Sequence, residues 1–149
     1  MKFYIISPSK KKETFTPENL ERISEIIPVE FFQFRPKHKT IEERIEFVKE
    51  NYVEFKKICI KKKIKMIIND DFEIAERFKF DGIHLGQEDR KCMDAKKKFG
   101  KNYIVGVSCS DSVNFYIKAL EQNADYVAFG PVYQTASKKK KKNKYSKIF

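Results

Sequence analysis

An α/β fold of parallel strands, a (β/α)8 barrel with about six of its eight units present, is what this 149-residue sequence predicts. Three observations carry the prediction. Apolar, β-branched runs alternate strictly with helical patterns, which makes a parallel sheet. Strand starts recur roughly every 25 residues, the period of a β/α barrel, which needs roughly 200 residues or more to close. Polar residues gather at the C-terminal ends of successive strands, where a parallel barrel opens its mouth.

The first strand is expected over 2–6. Its single charge and short apolar run do not make a signal peptide. A helix follows from Pro17 to Ile27, with Thr16 as N-cap, Pro17 at the first helical position and Glu18 in the first turn. The second strand is read at 30–35. Thr40 through Lys62 spaces Ile41, Ile45, Val48, Tyr52, Phe55 and Cys59 along one helical face. Strands at 65–69, 82–85, 103–108 and 125–130 then alternate with helices at Asp71–Phe80, Met93–Phe99 and Ser112–Gln122. Gly100 is expected to close one of these as a left-handed cap. Residues 1–137 form the partial barrel and 138–149 a lysine-rich tail.

Composition limits the function classes. A 41% hydrophobic content suffices for one core, and no apolar run approaches the ~20 residues that span a bilayer. Cys59, Cys92 and Cys109 are odd in number and far apart, which fits reduced thiols of the cytoplasm. The net charge of +11 suggests nucleic acid at first sight. Residues 138–149 supply seven lysines of it and no acid, leaving +4 for the rest. Of 32 basic residues only Arg22, Arg35, Arg44, Arg77 and Arg90 are arginines, the usual readers of bases and phosphates. The expected partners are therefore small molecules, not nucleic acid or a membrane.

The strand ends say which small molecules. Gln33 and Arg35 share a face of the second strand, and Lys37 follows after Pro36. Asn69-Asp70 ends the third strand and Gly86-Gln87-Glu88-Asp89 the fourth. Ser108 ends the fifth, and Gly130 to Lys138 follows the sixth. Arg35, Lys37 and Lys138 are cations suited to phosphate oxygens, with Asn69 adding an amide. Asp70 and Asp89 suit Mg²⁺, a hard cation, although both also stand where a helix N-cap would. Thr135 and Ser137 sit in a loop able to cradle a second phosphate. Asp71 reads as a cap, Glu88 as a solvent-facing loop acid, His84 as a satisfied interior histidine and Cys109 as a buried small side chain.

In order and spacing, Gln-x-Arg-x-Lys, Asn-Asp, His-Leu-Gly-Gln-Glu-Asp, Gly-Val-Ser and Gly-Pro-Val-Tyr-x-Thr-x-Ser-Lys resemble the thiamine-phosphate synthase family over residues 1–138. The resemblance implies a TIM barrel that uses Mg²⁺ to join hydroxymethylpyrimidine pyrophosphate to thiazole phosphate, releasing pyrophosphate by a dissociative path. It implies that Gln33, Arg35, Lys37, Asn69 and Lys138 hold the pyrimidine pyrophosphate, and Asp70 and Asp89 the metal. Thr135, Ala136 and Ser137 meet the thiazole phosphate. Ser108, near the reacting pyrimidine, and Lys138 are the catalytic pair. A thiazole tautomerase of the same superfamily would carry a histidine just after Gly-x-Ser, where Ser110 stands here. A non-catalytic binder of pyrophosphate ligands is the other alternative.

Pro36 departs from the family pattern, which commonly has a polar residue there. The seventh and eighth strands have no counterpart, so the first and sixth strands are expected to expose edges that invite aggregation or pairing with another chain, a homo-oligomer included. The lysine run suggests a truncated product of a synthase-like gene, since a homopolymeric codon tract can slip.

Overall fold

The computed structural model describes residues 1–9, 12–87 and 91–131. The elements run β1 (Phe3–Ile6), α1 (Pro17–Ile26), β2 (Val29–Phe34), α2 (Ile41–Lys62), β3 (Lys65–Asn69), α3 (Phe72–Arg77), β4 (Gly82–Leu85), α4 (Cys92–Phe99), β5 (Ile104–Ser110), α5 (Val113–Glu121) and β6 (Tyr126–Phe129). All strand pairs are parallel and the six-stranded sheet follows chain order, β1 to β6. Chain order without reversal is the order of a barrel, not of an open doubly wound sheet.

The sheet is curled. In a flat sheet five strand spacings would put β1 and β6 about 24 Å apart. Here the hydroxyls of Tyr4 on β1 and Tyr126 on β6 meet at 2.7 Å across the concave face. The convex face carries the core against the helices: Phe32, Phe34, Met66, Ile68, Ile83, Leu85, Val105 and Val107 are all buried there. Phe15, Phe32, Phe34 and Phe55 form its densest part, with Phe15 and Phe55 rings 4.6 Å apart and Phe32 and Phe55 rings 5.0 Å apart.

Two aspartates repeat one device at the bottom of the sheet. The amide of Asp81, before β4, donates to Met66 O at 2.9 Å, and its Oδ2 accepts from Met66 N at 2.8 Å and from Lys56 at 3.1 Å. Asp125, before β6, treats Val105 in the same way (2.8 and 2.7 Å) and pairs with Lys96 at 2.6 Å. Each clasp sets the register of a β/α/β unit at the end where such a fold keeps its stability residues.

The start of α1 matches the sequence reading, whereas Thr40, read as the first residue of α2, caps it, and Asp71, read as a cap, makes no capping bond to α3. Thr16 accepts from Asn19 N at 3.2 Å, and Thr40 with Glu43 forms a capping box. Helix ends differ from it. Gly100 has φ 99° and ψ 160°, so it leaves α4 in an extended positive-φ conformation and not as a left-handed cap. The left-handed caps belong to Lys63, Lys79 and Asn123, at φ 57°, 51° and 59°. After each, an apolar residue closes a six-to-one hydrogen bond of the Schellman kind: Ile64 N to Cys59 O (2.8 Å), Phe80 N to Ala75 O (3.2 Å) and Ala124 N to Ala119 O (3.0 Å). For α3 this early cap ends the helix at Arg77 and tucks Phe80 into the core, 3% exposed.

Candidate active site

Alternate residues of a strand face one side of a sheet. The concave side therefore collects Tyr4, Phe31 and Gln33, Ile67 and Asn69, Gly82 and His84, Gly106 and Ser108, and Tyr126. Most of the polar ones are joined in a single row. Gln33 Nε2 donates to the Tyr4 hydroxyl at 3.1 Å. That hydroxyl meets Tyr126 at 2.7 Å, Tyr126 meets His84 Nδ1 at 3.1 Å, and His84 Nε2 meets Ser108 Oγ at 2.8 Å. Ring contacts back the row: Phe31 and His84 stack on Tyr126 at 5.4 and 5.6 Å, and Tyr4 stands edge-on to Phe31 at 5.5 Å. His84 is thus a satisfied interior histidine, 8% exposed, as the sequence suggested. Gln87 Nε2 donates to the Ser108 carbonyl and ties the end of β4 to β5.

Sequence reasoning missed Tyr4, Phe31 and Tyr126. The available signal was their phase: Phe31 lies two residues before Gln33, Tyr4 faces Phe31, and Tyr126 faces Gly106, two residues before Ser108.

Burial holds these phenols neutral. It is the main cause pushing Tyr4 up to about 12, against smaller opposing effects of its bonds to Tyr126 and Gln33. Tyr126 and Tyr103 are raised further, again chiefly by burial, and burial pushes the Cys59 thiol up to about 12. Raised folded-state pKa values mean that the fold holds protons the unfolded chain has lost. Their contribution is whole below about pH 9 and is lost as pH rises toward 12, at about 1.4 kcal/mol per pH unit for each group titrating only when unfolded. Urea midpoints are expected to fall steeply between about pH 9 and pH 11, before Tyr4, Tyr103 and Tyr126 ionise in the folded chain. Constant midpoints, with phenols ionising at their ordinary pKa, would contradict this burial.

The rim of the mouth is set by the end of β3. Asp70 has φ 63°, and Asp71 N donates to Asn69 O at 2.8 Å across it, making a tight positive-φ turn. Asp70 N donates to His84 O at 2.9 Å, and Asn69 Nδ2 donates to Asp70 Oδ2. The left-handed backbone costs roughly 1 kcal/mol at a residue other than glycine. It leaves the Asp70 carboxylate half-buried at the rim, held by the amide of the buried Asn69. Asp71 is at the N-cap of α3 but does not cap it. Its carboxylate takes a two-pronged pair from Arg44 of α2, at 2.9 and 3.1 Å, which braces the turn from behind.

Beyond β2, Arg35 N donates to Ser7 Oγ at 2.9 Å, fixing the strand exit against the end of β1. The half-buried Arg35 guanidinium makes no hydrogen bond or ion pair to a described residue. Lys37 is exposed, its amide on Ser9 O at 3.1 Å. Gln33 differs from both: it is 2% exposed, deep inside, with its amide nitrogen on Tyr4. The structure thus links Gln33, Asn69, Asp70 and Ser108 through contacts that run by way of His84, and places Arg35 and Lys37 at the exit of β2. Asp89, Thr135, Ala136, Ser137 and Lys138, like Glu88, lie outside the described residues. Among those described, no group of three or more His, Cys, Asp or Glu is placed to hold a metal. A cavity of about 250 Å³ lies on the other side of the sheet, floored by Leu85, Val107, Phe115 and Ala119 between α4 and α5. It is a gap in helix packing and does not touch the polar row.

A curled parallel sheet with polar residues converging at its strand ends defines an incomplete β/α barrel, a fold whose sites lie at that mouth. The chain belongs to the Thiamine monophosphate synthase family, which matches residues 3–147. It is 39% identical to the thiamine-phosphate synthase of Pelagibacter ubique over 135 residues, 91% of this chain and 63% of that protein. It is 35% identical to that of Erythrobacter litoralis, covering 92% of this chain and 63% of the other. The fold also matches the solved thiamine phosphate pyrophosphorylase of Pyrococcus furiosus, with TM-score 0.67 and 24% identity over 89% of this chain and 60% of that one. The chain therefore spans about six tenths of the length of these relatives. No helix among the described residues is long and apolar enough to cross a membrane.

Proposed function

We propose that this chain carries the pyrimidine-pyrophosphate side of a thiamine-phosphate synthase site, the site that couples hydroxymethylpyrimidine pyrophosphate to thiazole phosphate with loss of pyrophosphate. One observation carries the reading: an Arg35 guanidinium with no partner among the described residues, at the exit of β2, next to an amide–carboxylate turn at the exit of the adjacent β3. A partly buried guanidinium with no protein counter-charge is available to the oxygens of a ligand anion. Membership of the family favours a pyrophosphate as that ligand.

Mg²⁺ is typically held by one or two carboxylates together with substrate phosphates. Asp70 fits that demand, being an oxygen donor at the rim oriented by Asn69. Asp89 would be the second carboxylate. When bound, Mg²⁺ supplies neutralisation of the pyrophosphate charge. Arg35, Lys37 and Lys138 would hold phosphate oxygens, and preorganised charge of this kind stabilises a departing anion. Gln33, from its depth, would meet the heterocycle, and Ser108 would lie beside its reacting end. Thr135, Ala136 and Ser137 would receive the thiazole phosphate. The substrates are small molecules, and the three buried free thiols suit the cytoplasm.

The test is pyrophosphate release by the purified chain given both substrates and Mg²⁺, together with Mg²⁺-dependent binding of inorganic pyrophosphate. Arg35→Ala removes a charge-assisted contact of about 1.5–3 kcal/mol, so affinity should drop about 10- to 150-fold. Asp70→Asn should abolish the dependence on Mg²⁺. Binding without release would support the binding-only alternative. Affinity unchanged by either variant would sink the site itself.

A further inference from the structure

We propose that Tyr4 and Tyr126 are positioning residues that hold His84 as its Nε2–H tautomer, so that Ser108 keeps its hydroxyl proton for donation to an acceptor atom of a bound heterocycle. The use of that proton rests on the substrate reading above; the tautomer does not.

Protons can be counted along the row. Gln33 Nε2 can only donate, so the Tyr4 oxygen accepts from it, at 3.1 Å. Tyr4 then has its own proton for Tyr126, 2.7 Å away. Tyr126, having accepted, gives its proton to His84 Nδ1 at 3.1 Å. A neutral imidazole carries one N–H, and with Nδ1 accepting it must be on Nε2. That N–H points at Ser108 Oγ, 2.8 Å away. Ser108 has then accepted inside the barrel, and its own proton is left for the mouth, toward which the half-buried residue is open.

Burial keeps both phenols protonated, so no link of the row lacks its proton at neutral pH. In the reverse polarity Tyr4 would accept from both Gln33 and Tyr126 and leave its own proton without a partner in the row. That polarity would also have His84 donate to Tyr126 and Ser108 spend its proton on His84. Ser108 would then be an acceptor toward any ligand. The two polarities thus select opposite ligand atoms. A donor serine recognises a lone pair such as a ring nitrogen, and an acceptor serine recognises an amine. Hydrogen bonds in such a row strengthen one another, so a change at Tyr4 is felt at Ser108 without contact between them.

The 149-residue chain has two histidines, His84 and His38, which makes nitrogen-15 NMR of labelled histidine direct. Spectra are recorded as a function of pH, and the tautomer is read from the neutral form of the ring. A His38→Gln spectrum assigns His84. The expected result is a protonated Nε2 and an unprotonated, hydrogen-bonded Nδ1. Tyr126→Phe keeps the ring that stacks on His84 and Phe31 and removes only the hydroxyl. It should abolish the hydrogen-bond shift of Nδ1. Tyr4→Phe, which does not touch His84, should move the same signal less. A protonated Nδ1 in the parent chain would overturn the proposal, as would an Nδ1 signal unmoved by Tyr126→Phe. Should Tyr126→Phe fail to fold, the parent tautomer and Tyr4→Phe still decide. No ligand is needed, so failure of pyrophosphate binding would sink the functional reading and leave this one standing.

Discussion

Phe55→Ala is expected to remove about 4 kcal/mol of stability, a large share of the roughly 5–15 kcal/mol that holds a domain together. Phe55 is 1% exposed and packs its ring on Phe15, Phe32 and Phe34 at 4.6, 5.0 and 5.4 Å. Those partners come from the loop before α1 and from β2, so the cavity would open where the long helix α2 grips the sheet. Aromatic rings held by one another cannot collapse into such a gap without losing their own contacts, which puts the cost toward the upper end of the usual range. With a urea slope of about 2 kcal/mol per molar, the unfolding midpoint should fall by about 2 M. Phe55→Leu, which keeps most of the volume, should cost about 1.5 kcal/mol. A loss below about 1 kcal/mol for the alanine variant would show that α2 is not seated as described.

The sequence disclosed the fold through periodicity, because periodicity is a direct consequence of burial. Ile41 to Cys59 at helical spacing is α2, and the apolar strands fall within two residues of their observed bounds. The cap of α1 was equally open to reading, since Thr16 acts through its own side chain on a neighbour three residues away. Helix ends were not. A left-handed C-cap is a backbone state that glycine usually advertises, but with five glycines in the chain, Lys63, Lys79 and Asn123 take it instead. What identifies those ends is the apolar residue that follows, Ile64, Phe80 and Ala124, which gains burial or core packing that offsets the left-handed turn.

The site divides in the same way. Asp70, Asn69 and Arg35 were visible as polar residues where an apolar strand stops. Asp71 beside them looked like a cap because its position is a cap's. Its true partner, Arg44, is 27 residues away in sequence, and no local pattern announces it. The two tyrosines were hidden for a related reason. A tyrosine within an apolar run reads as core, and only the curl that brings β1 to β6 shows that their hydroxyls find each other, 122 residues apart.

That curl makes Gly106→Ala the second large effect, expected to cost about 3 kcal/mol as overpacking. A methyl group at Gly106 would run into the ring and hydroxyl of Tyr126, far inside contact distance. The ring has no cheap way to retreat. Phe31 and His84 stack on it at 5.4 and 5.6 Å, and Tyr4 holds its hydroxyl at 2.7 Å. Any shift that admits the methyl breaks the row leading to Ser108. Glycine is therefore required here by space and not by backbone conformation, since Gly106 lies in ordinary strand geometry within β5. The distinction has a measurable form. If space is the cause, removing the obstacle removes the cost: in a Tyr126→Ala background, Gly106→Ala should cost about 2 kcal/mol less than in the parent, a coupling typical of residues in direct contact. Equal costs in the two backgrounds would mean that the penalty lies in the strand itself, and that Tyr126 does not sit over β5 at the centre of the half-barrel.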